Sequence, residues 1–118
     1  GKIPRSDDMN DFYASAKVTV GDSLCLKKEK SRYWSDRVPE ATGRHGFLIM
    51  PQIDEIEAMY ECEIPMYPWG DFDVLEEMVG DWLENDEGRK ATVEAYAKRT
   101  KAEHTYVNRV ETILKMVF

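Results

Sequence analysis

The chain has 118 residues, 42% hydrophobic and 33% charged, a size and balance that suit one globular domain around a single core. Its net charge of −7 and isoelectric point near 4.8 argue against non-specific binding to nucleic acid or to an anionic membrane surface, because both are themselves negative. No apolar run approaches the roughly 20 residues of a bilayer span, and the start of the chain lacks the apolar segment of a signal peptide, so the expectation is a cytoplasmic chain with no membrane insertion.

The two cysteines, Cys25 and Cys62, are far apart and form no C-x-x-C pair, and His45 and His104 have no acid at ligand spacing. Neither a metal nor a cofactor is expected.

Residues 1–7, broken by Pro4, read as a tail. A short helix is expected over 8–16, with Met9, Phe12, Tyr13 and Ala16 on one face, then a strand over 17–22 that stops at Gly21 and Asp22. Residues 23–32 hold Lys27, Lys28, Lys30 and Arg32, the basic cluster of an acidic chain. This is either a solvated loop or an electropositive rim beside a phosphate site, and the sequence leaves both open.

The stretch 33–51, YWSDRVPEATGRHGFLIMP, is the organising segment. Asp36 suits an N-cap, and Pro39 falls in the first turn, where its missing N–H costs nothing. A helix is therefore expected from about Asp36, its start and the Arg37 fork suiting a phosphate. For Glu40 the plainer alternative is an ordinary first-turn acid, and for Arg37 an ion pair with Asp36, Glu40 or Glu57. Gly43 and Gly46 then turn the chain into 47–50, a wholly apolar run before Pro51, as for a strand covered on both faces.

Asp54 with Glu57 predicts a capping box for a helix with Ile56, Met59 and Tyr60 inward, and 64–67 predicts a strand that Pro65 and Pro68 restrict to an edge. After a turn at Trp69, Gly70 and Asp71, a second box at Asp73 and Glu76 opens a periodic helix, with Val74, Leu75, Met78, Val79, Trp82 and Leu83 expected to be buried. A polar helix over 87–103 follows, and Thr105 caps a last helix lined by Val107, Val110, Ile113, Leu114 and Val117. His104 and Tyr106 are expected to pack at the join.

Alternating helices and strands over 8–84, closed by C-terminal helices over 87–118, predict an α/β fold: half of a doubly wound parallel sheet with about three short strands. Ligands of such sheets bind beyond the carboxyl ends of the strands, at the loops 22–34, 51–54 and 68–71.

The pattern S-D-R-x-x-E-A-x-G-R-x-G-F-L-x-x-P from Ser35 to Pro51, with E-H-T-Y-x-x-R-V from Glu103, resembles the C-terminal segment of group 1-type glycosyltransferases, in particular the spore-maturation-protein-like branch. The resemblance runs from about Phe12 to Val117. It implies the donor-binding, Rossmann-like half of a GT-B enzyme, hexosyltransferase-like, that takes a nucleotide-diphosphate sugar such as a UDP-sugar. By position, Ser35, Asp36, Arg37 and Glu40 would meet the donor, Glu40 at the ribose, with Asp22, Ser23, Arg32 and Tyr33 at the rim. The family usually has a glutamate pair seven residues apart, and Arg32 stands where the first acid would be. The acceptor domain and the usual general base belong to a part of such enzymes not represented here, so the catalytic residues are unknown and this chain alone is expected to be inactive. An edge strand at 17–22 would be exposed, so either self-association through it, most simply a homodimer, or coverage by the terminal helices is expected. A non-catalytic interaction module of the same fold is the alternative. A receiver-type domain fits less well, for want of an early acidic cluster and a strand-end aspartate.

Overall fold

The computed structural model describes residues 7–22 and 35–118. Ser23, Arg32 and Tyr33, with Cys25, the three lysines of the basic cluster and most of the tail, lie outside the described residues.

The elements alternate as expected: α1 (Asp7–Ser15), β1 (Thr19–Val20), α2 (Arg37–Gly43), β2 (Leu48–Pro51), α3 (Ile56–Tyr60), β3 (Met66–Tyr67), α4 (Phe72–Glu84), α5 (Asp86–Glu103) and α6 (Tyr106–Val117). The three strands form one sheet in the order β1-β2-β3, and both pairings are parallel. Their carboxyl ends therefore share one edge, where the Trp69 indole N–H donates to the Gln52 carbonyl at 3.0 Å and joins two of the loops.

The centre is β2, buried along its whole length. Successive strand side chains point to opposite faces, and here Leu48 and Met50 pack with Val38, Ala41, Ile56, Tyr60 and Tyr96 of α2, α3 and α5, whereas Phe47 and Ile49 meet Tyr67 and helix α4. Each such side chain is worth about 1.5–3 kcal/mol of burial, so this run anchors both layers.

A proline in a central strand ordinarily removes a ladder bond. The Gly21 amide donates to the Ile49 carbonyl at 2.7 Å, and in a parallel ladder the Gly21 carbonyl would then accept from the amide of residue 51. Pro51 has none. The Tyr67 hydroxyl reaches across from β3 and donates to that carbonyl at 3.2 Å, so the acceptor is satisfied from the far strand.

The turn out of α2 reaches its left-handed residue at His45, with φ 61°, rather than at either glycine. The glycines serve close approach. A Cβ on Gly43 would lie 3.1 Å from the Thr100 methyl, and one on Gly46 would lie 2.9 Å from the Ala41 carbonyl oxygen and 3.2 Å from the Tyr13 ring.

Several local expectations need correction. Asp36 is itself right-handed helical, with φ −55° and ψ −18°, and its carboxylate makes no capping bond, since capping requires an extended backbone at that residue. Neither acidic capping box forms. Glu55, with φ 68°, precedes α3, and Glu57 instead accepts from the Ile64 amide at 3.2 Å, closing the turn into β3. The cap of α4 is Asp71, which accepts from the Val74 amide at 3.1 Å, two residues before the Asp73 expected from the box.

Helix α4 has no fully buried residue. Leu75, Met78, Val79 and Trp82 are half-buried against the Phe47 cluster, while Leu83 is 40% exposed. A two-residue β3 offers too little surface to cover that stripe. Met59 and Phe12, expected inward, are also largely exposed. The larger departure is α6: Val107, Val110, Ile113, Leu114 and Val117 are all about half exposed or more. Among the described residues, no element covers that face.

Candidate functional site

Helix α2 packs against α5 more extensively than any other pair of elements meets. A cluster of buried hydroxyls locks the contact. Thr42 Oγ1 donates to the Val38 carbonyl at 2.7 Å and lies 2.8 Å from Thr100 Oγ1, and the Tyr60 hydroxyl stands 3.4 Å from both threonines. Burial pushes the Tyr60 hydroxyl above its usual range, and the two threonines partly offset this. These groups set the spacing of the two helices and form the base on which the neighbouring surface rests.

That surface is a cavity of about 490 Å³ between α2 and the corner joining α5 to α6. One wall carries Ser35, Asp36, Pro39, Glu40, Gly43 and Arg44, spaced as one face of a helix. The other carries Thr100, Lys101, His104, Thr105, Tyr106 and Arg109. The corner is shaped by Thr105, whose hydroxyl accepts from the Asn108 amide at 3.3 Å while Asn108 Oδ1 accepts from the Thr105 amide at 2.9 Å. Thr105 thus caps α6 as the sequence suggested.

His104 is buried at the back of the corner, its ring stacked on Tyr60 with centroids 4.6 Å apart. Nε2 lies 3.3 Å from the Met59 carbonyl, which can only accept. The proton therefore sits on Nε2, and Nδ1 accepts from Arg109 at 3.3 Å. Burial, the largest influence, pulls the imidazole below its ordinary value; the Met59 bond opposes this, and the Arg109 charge adds to it. His104 is a packing residue, as expected. Tyr106 is not, with 80% of its surface exposed at the cavity mouth.

Of the residues singled out from sequence, Ser35, Asp36 and Glu40 come together on the α2 wall. Arg37 is exposed and does not line the cavity, and Asp22 is exposed at the end of β1. The Asp22 charge adds to burial in raising the Tyr67 hydroxyl. Lys101 and Thr100, on the second wall, carried no sequence signal. His104, Tyr106, Arg109 and Arg44 did belong to the strings that carry the resemblance, although no local pattern placed them in one site.

Over residues 1–115 the sequence matches the family described as glycosyl transferase-like. The chain belongs to the glycosyl transferase-like family. No curated protein and no solved structure matches it. Membership covers nearly the whole chain, so the parallel half-sheet, the α2 wall and the α5–α6 corner of this glycosyl transferase-like protein all fall inside the matched region. Among the described residues, no group of three or more His, Cys, Asp or Glu side chains could hold a metal ion, and no helix is long and apolar enough to cross a membrane.

Proposed function

We propose that this chain is the donor-side part of a glycosyltransferase of GT-B architecture, close to the spore-maturation-protein-like branch, that transfers a sugar from a nucleotide-diphosphate sugar in the cytoplasm. The observation that carries the proposal is the convergence of Ser35, Asp36 and Glu40 on one wall of a cavity of about 490 Å³, within a family member. Two carboxylates on a helix face accept hydrogen bonds from vicinal hydroxyls such as those of a ribose. Arg37 is exposed in the first turn of the same helix, and Asp22 stands at the strand end. The acceptor domain and the catalytic groups lie elsewhere in such an enzyme, so the chain's own part is binding and orientation.

The test is an amide-resolved NMR titration with UDP, GDP, ADP and dTDP. Shifts confined to residues 35–44 and 100–109 for one nucleotide, lost on Glu40→Gln, are the expected result and would name the nucleotide class. No shift with any of the four nucleotides refutes the proposal.

A non-catalytic, self-associating module is the second reading, favoured by the exposed apolar residues of α6 and by β1 at a sheet edge. Sedimentation velocity over a hundredfold concentration range separates the two: a monomer that binds nucleotide sinks this second reading.

A further inference from the structure

The donor reading leaves open which groups meet the phosphates, and helix α2, only seven residues long, supplies little dipole for them. We propose that Arg44, Lys101 and Arg109 form the phosphate-binding side of the cavity, so that a ligand's diphosphate group sits at the α5–α6 corner while its hydroxyl-bearing part meets Asp36 and Glu40. The nucleoside half of this placement rests on the donor reading; the diphosphate half does not.

Three observations carry it. The cavity holds three cations against two acids, in a chain whose overall charge is −7. Among the described residues none of those cations makes an ion pair: the arginine pairs are Arg89 with Asp86 and Arg99 with Glu61 and Glu103, whereas Arg44, Lys101 and Arg109 stand within ion-pair distance of no described carboxylate. Finally, the two guanidiniums are held by neutral acceptors, Arg44 by the Asn10 side-chain oxygen and Arg109 by His104 Nδ1. A neutral acceptor orients the fork without cancelling its charge, and each guanidinium keeps further N–H donors for a phosphate oxygen. The exposed ring of Tyr106 beside them offers a stacking face for a base or sugar.

Calorimetry at low ionic strength on the 118-residue chain, with inorganic diphosphate and with UDP as separate probes, tests the placement. Lys101→Ala is the informative variant, because Lys101 is exposed and its loss leaves the fold intact, which a thermal melt checks. The expected result is that inorganic diphosphate binds the native chain and that Lys101→Ala and Arg44→Ala each weaken it about tenfold or more, while Arg37→Ala changes it less than about threefold. If Arg37→Ala abolishes binding and Lys101→Ala does not, the placement is overturned and the donor reading stands. If inorganic diphosphate binds through Lys101 but UDP binds no more tightly and ignores Glu40→Gln, the diphosphate half of the placement stands, and its nucleoside half falls with the donor reading. No binding of inorganic diphosphate by the native chain also overturns the placement.

Discussion

Two buried tyrosines of this chain should respond in opposite senses to loss of the same atom. Tyr96 on α5 is fully buried, and among the described residues its hydroxyl has no hydrogen-bond partner. Its ring packs edge-on against Tyr60 with centroids 6.2 Å apart, a contact that phenylalanine preserves. Burial, the largest influence, reinforced by the neighbouring ionisable Cys62, Tyr60, Glu57 and Glu63, drives its ionisation far above the usual range, so only the neutral hydroxyl is present. A buried hydroxyl left unpaired costs about 1–3 kcal/mol. Tyr96→Phe is therefore expected to stabilise the fold by about 1 kcal/mol or more. Tyr60→Phe removes a hydroxyl that Thr42 and Thr100 approach at 3.4 Å, and should destabilise it by about 0.5–1.5 kcal/mol. With an unfolding entropy of about 2.1 cal/mol/K per residue, 1 kcal/mol corresponds to roughly 4 °C in Tm for a chain of this length. The two variants should then differ by about 6 °C or more, with Tyr96→Phe melting higher. Thermal and urea unfolding followed by far-UV circular dichroism reads both. If Tyr96→Phe melts below the native chain by several degrees, its hydroxyl has a partner in solution, and the reading of Tyr96 as an unsatisfied core group is refuted.

Three further outcomes follow from the same structure. Gly46→Ala would press a methyl to 2.9 Å from the Ala41 carbonyl and 3.2 Å from the Tyr13 ring, for a loss of about 1–3 kcal/mol in urea unfolding; native stability would mean the turn after α2 is looser than described. Trp82→Ala removes a half-buried ring that meets Phe47 with centroids 4.9 Å apart, and should cost about 2–3 kcal/mol, less than the 3–5 kcal/mol of a fully enclosed aromatic. His104 titrates below its ordinary value of 6.5 in the folded state, so the unfolded chain binds the proton more readily. Its contribution to stability is complete above pH 6.5, shrinks as pH falls through that value, and is lost below the folded-state value. His104→Gln should flatten the decline of stability between pH 7 and pH 5, and an unchanged slope would assign that decline to other groups.

Much of the architecture was legible in the sequence because it depends on short-range pattern. The run Phe47–Leu48–Ile49–Met50, closed by glycine and proline, has no polar face to present to water, so it could only be the central strand. Pro65 and Pro68 restricted the third strand to two residues at an edge for the same local reason. Thr105 followed by a helical stripe marked the last helix start. Caps were read less well where several acids competed. Asp71 rather than Asp73 caps α4, and Asp36 caps nothing, because the choice turns on the backbone angle of the cap residue and not on its side chain.

The site belongs to the other category. Ser35, Asp36 and Glu40 could be picked out by their place before and within a helix, but the wall that faces them, Lys101 to Arg109, is far away in the chain. It arrives only because Thr42 and Thr100 meet across the α2–α5 contact, and Gly43 lets those helices approach. Whether a cation is paired, which arginines are held by neutral groups, and which apolar stripe stays uncovered on α6 are likewise properties of surfaces brought together on folding. Amphipathic spacing tells which residues share a face of a helix. It carries no record of what that face will meet: the clear apolar stripe of α6 stays exposed, whereas the polar helix α5 buries Tyr96, Ala97 and Thr100.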